Sequence, residues 1–120
     1  MKLVIATKDA PAAIGPYSQA IRAGDFVFLI GQIPLDPTTG NLVSGTIAEE
    51  TERVMKNLEA VLAAAGATFA HVVRTTIFLT RMDDFQEVNG VYGLRFSENP
   101  PARATVAVAA LPKGARVEID

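Results

Sequence analysis

The strongest structural signal in this sequence is a helix in the middle of the chain. Thr46 and Glu49 form a capping box, in which the threonine hydroxyl caps an amide three residues on and the glutamate reaches back. Mostly apolar residues then recur at helical spacing, and Gly66 marks the end of the helix. The predicted buried stripe comprises Ile47, Thr51, Val54, Leu58, Val61, Leu62 and Ala65. The acidic residues Glu49, Glu50 and Glu52 are predicted to form the solvated face.

The rest of the chain is predicted to form short strands and one further helix. Short apolar and β-branched segments indicate strands at residues 3–7, 18–22, 26–30, 72–80, 105–109 and 116–120. A second helix is predicted to begin at Asp83 or Asp84 and to end at the Asn-Pro-Pro run of residues 99–101. Its predicted buried face consists of Phe85, Val88, Tyr92 and Phe96.

This order of elements determines the expected fold class. Three strands, a helix, a strand, a helix and two strands mix the element types without strict alternation, which is typical of the α+β class. The length is that of one ordinary domain, so we expect a single domain over residues 1–120. A mixed β-sheet with two helices packed on one face leaves the other face uncovered, which predicts an oligomer.

The composition excludes several kinds of chemistry. The chain has no cysteine, which excludes disulfides and thiolate nucleophiles. His71 alone cannot build a metal cluster, so no metal site is predicted and this residue is expected to be structural or exposed. The serines lack a histidine at meaningful spacing, and no phosphate-binding glycine loop is present.

Charge and hydropathy limit which partners and which cellular location we expect for this chain. The net charge is −2 and the basic residues are scattered, which does not favour nucleic-acid binding. The apolar run at residues 3–7 is too short for a signal peptide, and no run has the length of a membrane helix. We therefore expect no membrane contact and a cytoplasmic location.

Arg103 and Glu118 are the charged residues best suited to chemistry. Arg103 follows Pro100 and Pro101, which stiffen the backbone before it and so restrict the direction of its guanidinium. A guanidinium binds a carboxylate with two parallel hydrogen bonds. Glu118 lies between Val117 and Ile119, so it is predicted to point to the opposite face of the sheet, where it could carry protons or orient water. On these grounds alone, an exposed surface charge is the more common role for each.

Three further residues are candidates for a binding site. Gly31 ends an apolar strand and would let a ligand approach the backbone closely, although a simple strand end is commoner. Tyr17 follows Gly-Pro on a stiff loop and could line a pocket or be half-buried packing. Asn89 stands among apolar positions of the second helix, where it could bind a loop or face a ligand cleft.

Several blocks of the sequence carry a family resemblance together. Residues 101–106 (PARATV) continue to 111–114 (LPKG) and then to 117–119 (VEI). Residues 15–20 (GPYSQA) and 31–34 (GQIP) precede them, as does the run from Asp84-Phe85 through Val88-Asn89 to Tyr92. In this order, over the whole chain, the blocks resemble the Rid (YjgF-like) family.

The resemblance implies a fold, an assembly and an activity. The fold would be chorismate-mutase-like, and the assembly a homotrimer with active sites between subunits. The substrates would be reactive 2-imino acids and their enamine tautomers, such as 2-aminoacrylate and 2-aminocrotonate, hydrolysed to 2-keto acids and ammonia. No cofactor is expected, because an imine carbon is already electrophilic and needs only positioning and modest acid–base chemistry.

The resemblance also implies roles for single residues. Arg103 would hold the substrate carboxylate, and Glu118 would position or activate water. The Gly31 backbone would contact the imine end, and the remaining implied contacts are Tyr17 as a pocket wall, Thr105 beside the arginine and Asn89 as a supporting position.

Three other functions remain open on the sequence. A non-catalytic, carboxylate-binding regulatory trimer would keep Arg103 without competent water activation. An RNA-cleaving translation inhibitor is disfavoured by the acidic net charge. A chorismate mutase would need several cations around a dicarboxylate, and the sequence offers one candidate.

Overall fold

The computed structural model describes all 120 residues. The elements are β1 (Lys2–Ile5), β2 (Ala20–Ala23), β3 (Phe26–Leu29), α1 (Ile47–Ala64), β4 (Arg74–Leu79), α2 (Phe85–Gly93), β5 (Ala102–Ala107) and β6 (Val117–Ile119). Short 3₁₀ turns lie at Phe69–His71, Met82–Asp84 and Pro112–Gly114. The α+β class and the predicted order of elements are confirmed. None of the helices is both long and apolar enough to cross a membrane.

Helix α1 forms as the sequence predicts. The Glu49 amide donates to Thr46 Oγ1 at 3.1 Å, and the Thr46 amide donates to Glu49 Oε1 at 3.2 Å. Gly66 follows the helix with φ of 76°, a left-handed conformation that favours glycine at this position. The buried stripe of the helix, which includes Val54 and Val61, packs towards the sheet.

The strands form two three-stranded sheets joined by one bridge. Strands β1, β2 and β3 are antiparallel neighbours, whereas β4 lies between β5, to which it is parallel, and β6, to which it is antiparallel. Gln32 and Ile119 exchange two backbone hydrogen bonds of 2.8 and 3.1 Å, which connects the sheets into one layer. The parallel pair lies at the end of this layer, where α2 makes the crossover.

The chain bulges just after β3. Leu29 packs against the core on the helix side, and Gln32 pairs with the fully buried Ile119 on the same side. In a regular strand, two side chains on the same face have an odd number of residues between them. Leu29 and Gln32 have two residues between them. Ile30 and Gly31 are therefore the residues of a bulge, a feature that re-aims side chains.

The two faces of the layer differ in their burial. On the helix side, Ile77, Leu79 and Val117 are fully buried beneath α1 and α2. On the outer side, Val4 and Phe28 share a face through their pairing with Ile21, and they are 65% and 63% exposed. Further exposed apolar residues are Phe26 and Val106. Several large apolar residues exposed on one face are typical of an interaction surface.

Helix α2 is shorter than predicted. It ends at Gly93, and the residues up to Phe96 continue as a turn with i→i−3 backbone bonds. Glycine lowers helix propensity, and Gly90 and Gly93 both lie in this short helix. Phe96 nevertheless remains on the predicted face, because its ring packs on Tyr92 with centroids 4.6 Å apart.

The prediction that all three acidic residues of α1 are solvated is wrong for Glu50. Its side chain is buried and accepts a hydrogen bond from Arg116 Nε at 2.8 Å, and a second one from Arg116 Nη2. Glu52 accepts two hydrogen bonds from Arg95, at 2.5 and 3.1 Å, and these lower the pKa of its carboxyl. Helix α1 is therefore tied by ion pairs to Arg116, which directly precedes β6, and to Arg95 in the turn after α2.

Candidate active site

Arg103 lies on an aromatic platform provided by α2. Its Nη1 donates to Asn89 Oδ1 at 2.7 Å, and its Cζ lies 5.1 and 5.5 Å from the ring centroids of Tyr92 and Phe85. Tyr92 is in turn held by a 2.6 Å hydrogen bond between its hydroxyl and Thr75 Oγ1. Cation–π contact and one hydrogen bond orient the guanidinium, and its other N–H groups remain free to bind an anion.

Glu118 lies on the outer side of β6, against the bulge. Its neighbours Val117 and Ile119 are fully buried on the helix side, whereas Glu118 is half-buried on the other. Its carboxylate packs on Gly31 so closely that a Cβ added there would lie 2.4 Å from Glu118 Oε2. Glycine at this position lets the carboxylate lie this close to the backbone, and a side chain here would force it to shift.

The surroundings of Glu118 change its acidity. Burial raises the pKa of the Glu118 carboxyl above its usual value, and the negative charge of Asp120 raises it further. A carboxylate with a raised pKa is a stronger base near neutral pH. Glu118 is thus suited to accept a proton from water.

Tyr17 lies on the loop between β1 and β2, which Gln19 holds in place. The buried Gln19 side chain accepts from the Thr7 amide at 2.6 Å and donates to the carbonyl oxygens of Thr7, Ala10 and Pro11 at 2.7 to 3.3 Å. The Tyr17 hydroxyl accepts from the Ile14 amide at 3.2 Å. These bonds fix the ring of Tyr17 in an ordered loop.

Tyr17, Gly31 and Glu118 line one cleft of about 340 Å³. Its remaining lining residues are Pro11, Ala12, Ile14, Gln19, Ile30, Gln32, Ile33, Leu35, Pro112 and Lys113. Of the predicted site residues, Arg103, Asn89 and Thr105 are not among them. The structure therefore sorts the candidates into two groups, which we call the carboxylate half-site (Tyr17, Gly31, Glu118) and the guanidinium half-site (Asn89, Arg103, Thr105).

The two half-sites lie on opposite faces of the sheet. Arg103 pairs with Thr75 of β4, whose side chain is buried on the helix side, and Glu118 pairs with Phe78, which alternates to the outer side. β5 and β6 flank β4, and the paired positions are three residues apart along it. At about 4.8 Å per strand and about 3.3 Å per residue, the two backbone positions are about 14 Å apart. One small substrate cannot touch both side chains of one chain.

Comparison with known proteins places the chain in a family. Residues 7–120 match the sequence profile of the family described as Endoribonuclease L-PSP. The chain is 60% identical to protein DfrA of Myxococcus xanthus, over 97% of this chain and 90% of that protein. It is 49% identical to the human protein named 2-iminobutanoate/2-iminopropanoate deaminase, over 100% of this chain and 88% of that one. The chain belongs to this family.

Solved structures of the L-PSP (Rid, YjgF-like) family share the fold described above. A Rid-family protein of Yersinia pestis, YyfA, superposes with a TM-score of 0.97 at 51% identity, covering 99% of this chain and 95% of that one. TdcF of Escherichia coli, solved with bound serine, superposes with a TM-score of 0.92 at 37% identity, covering 98% and 94%. The resemblance stated from the sequence blocks is confirmed.

Other predicted residues of this Rid-family chain lie as follows. Thr105 is two residues beyond Arg103 on the same face of β5, and its Oγ1 is buried without a hydrogen-bond partner. His71 is exposed, as expected, and accepts from the Thr68 amide at 3.0 Å. No group of three or more His, Cys, Asp or Glu side chains is arranged to hold a metal ion.

Sequence reasoning missed the platform beneath Arg103 and the role of Gln19. Phe85, Asn89 and Tyr92 are spaced i, i+4 and i+7, so they form one stripe on α2, and this spacing was the available signal. Gln19 gave no local signal, because its partners lie up to 12 residues away.

Proposed function

We propose that this protein hydrolyses reactive 2-imino acids and their enamine tautomers to 2-keto acids and ammonia. The observation that carries the proposal is the presence, on one chain, of a guanidinium with free donors and a half-buried carboxylate whose pKa is raised. The first fits the substrate carboxylate and the second fits the activation of water. The full-length similarity to a human protein named for this reaction supports the same assignment.

In this proposal each active site forms between two subunits of a homotrimer. The half-sites face opposite sides of the sheet, so a complete site needs Arg103 of one chain and Glu118 of its neighbour. The exposed apolar residues of the outer face, including Phe28 and Val106, provide a surface for the contact. Arg103, Asn89 and Thr105 would approach the cleft that Tyr17, Gly31 and Glu118 line.

The chemistry requires one water and three proton transfers. Arg103 binds the carboxylate and places the imine carbon near Glu118, with the Gly31 backbone at the nitrogen end. Glu118 takes a proton from water while the water oxygen bonds to the imine carbon, which gives a carbinolamine. The proton then passes from Glu118 to nitrogen. As the carbon–nitrogen bond breaks, Glu118 takes the proton of the carbinolamine hydroxyl, and a keto acid and ammonia leave. Protonated imine carbons are electrophilic, so positioning and general base catalysis suffice.

The test is a trapping assay with freshly generated imine. A dehydratase converts serine or threonine to 2-aminoacrylate or 2-aminocrotonate, semicarbazide traps the imine, and the protein competes with the trap. We expect the wild type to divert imine to keto acid and Arg103→Ala to lose at least about a hundredfold in kcat/KM, since two charge-assisted bonds disappear. Arg81→Ala, which removes an exposed arginine paired only with Asp83, is the matched control and should behave as wild type.

Two results would overturn the proposal. Full activity in a folded Arg103→Ala variant would show that Arg103 does not bind the substrate. Tight binding of 2-ketobutyrate by the wild type, with no acceleration of hydrolysis over the free solution, would instead support a regulatory carboxylate-binding trimer.

A further inference from the structure

The cleft that holds Glu118 also limits the side chain of the substrate. This inference rests on the proposed function. In a 2-imino acid, the carboxylate, the nitrogen and the side chain all branch from one carbon. If that carbon lies near Glu118 while the carboxylate extends to an arginine, then the side chain must lie against the remaining walls of the cleft.

Those walls are mostly apolar. Besides the predicted site residues, the cleft of about 340 Å³ is lined by the polar residues Gln19, Gln32 and Lys113 and by the apolar residues Pro11, Ala12, Ile14, Ile30, Ile33, Leu35 and Pro112. Ile30 precedes Gly31 in the bulge, and Gly31 is the residue on which the Glu118 carboxylate packs. Among the aliphatic residues of the cleft, Ile30 is thus the direct chain neighbour of the residue that contacts the proposed base.

Two polar side chains of the cleft, those of Gln19 and Tyr17, are already hydrogen-bonded to the backbone. The Gln19 amide uses its oxygen and its N–H groups on backbone groups of Thr7, Ala10 and Pro11. The Tyr17 hydroxyl accepts from the Ile14 amide. Against the aliphatic side chains of the cleft, a hydroxyl or amide on the substrate side chain would lose its bonds to water without a partner in exchange, which costs binding energy, whereas an alkyl group gains from burial.

We propose that this cleft prefers imines of aliphatic amino acids with side chains of three or more carbons, and that Ile30 is a specificity-determining residue. The imine derived from leucine is then hydrolysed more efficiently than the imine derived from alanine. Each additional buried methylene is expected to raise kcat/KM about fourfold. With part of the side chain buried, the leucine imine should exceed the alanine imine by about tenfold.

The experiment compares substrates within one enzyme preparation, so that losses in folding cancel. D-Amino-acid oxidase generates the imines of alanine, 2-aminobutyrate, norvaline and leucine, and semicarbazide trapping gives kcat/KM for each. Ile30→Ala should lower the leucine-to-alanine ratio at least about threefold, because a wall of the cleft is removed. Leu94→Ala, which truncates an exposed aliphatic residue outside the cleft, should leave the ratio unchanged.

The outcomes separate this inference from the proposed function. Hydrolysis of all four imines at equal efficiency, or an unchanged ratio in Ile30→Ala, refutes the specificity and leaves the activity intact. If no imine is hydrolysed, the proposed activity fails, and calorimetric titration with 4-methyl-2-oxopentanoate and pyruvate decides the side-chain preference directly. Tighter binding of the longer keto acid by the wild type, reduced in Ile30→Ala, would support it, and equal binding would refute it.

Discussion

Mixing two inactive variants is the sharpest test of a site shared between chains. Arg103→Ala removes the guanidinium half-site, and Glu118→Gln removes the base of the other half-site. Each variant alone should be inactive, with a loss of at least about a hundredfold in kcat/KM. Because the two side chains leave opposite faces of the sheet, about 14 Å apart in backbone position, neither chain can complete a site by itself.

The restored activity can be worked out from the trimer. In a closed ring, each site takes Arg103 from one chain and Glu118 from the next. A mixed trimer of either composition contains one junction at which both contributed residues are intact, so it should have roughly one third of wild-type activity. A random equimolar mixture, in which roughly a quarter of the trimers are pure parents, should recover roughly one quarter.

The assay uses the two variants co-expressed with different affinity tags. Two successive affinity steps isolate trimers that contain both chains, and imine trapping gives their activity per site. Mixed trimers as inactive as their parents would refute the shared site, since every site would then carry one of the two defects. The parent variants purified in the same way are the controls.

Three further predictions concern single changes. Gly31→Ala places a Cβ 2.4 Å from the Glu118 carboxylate and should lower kcat/KM about a hundredfold by displacing that carboxylate. The control is Gly93→Ala, whose Cβ meets no atom within 4 Å and which should keep full activity. Wild-type rates in Gly31→Ala would contradict the geometry. Because the pKa of Glu118 is raised, its ionised form is less favourable in the folded protein than in the unfolded chain, so the free energy of unfolding should fall as pH rises from about 4.3 through the raised pKa. Urea titrations at several pH values should show this fall in the wild type but not in Glu118→Gln, while kcat/KM should fall on acidification at a higher pH than for an ordinary glutamate. Glu50→Ala leaves its partially exposed arginine partner without a counter-ion and should lower the free energy of unfolding by about 2 kcal/mol, against less than about 0.5 kcal/mol for the exposed Glu59→Ala on the same helix.

Local signals account for the parts of the fold that the sequence predicted. Helix α1 begins and ends where the capping box and Gly66 indicate, because these signals act within one turn of the helix. Strand positions were right to within a few residues. The second helix was predicted too long, because the face of Phe85, Val88, Tyr92 and Phe96 continues through a turn that is no longer α-helical.

Non-local pairing explains what the sequence could not predict. The face of Glu118 followed from its two apolar neighbours, but Arg103 lies between two alanines, so alternation gave no direction. Its side chain is placed by the register of β5 on β4, which is set by tertiary contacts. The burial of Glu50 depends likewise on Arg116, which lies 66 residues away in the chain. The family resemblance brought the site residues together, whereas their division between two faces needed coordinates.

The contact between Gly31 and Glu118 joins two positions that are far apart in the gene. Any L-residue at position 31 would occupy space that the carboxylate now fills, so the flexible glutamate would have to shift. A mutation at either position therefore changes which residues the other tolerates. Over evolutionary time, homologues with a side chain at position 31 should have lost or shortened the acid at position 118, and lineages that keep the acid should keep the glycine. The codons for residues 31 and 118 are therefore expected to change together, in homologues that no longer catalyse the proposed reaction.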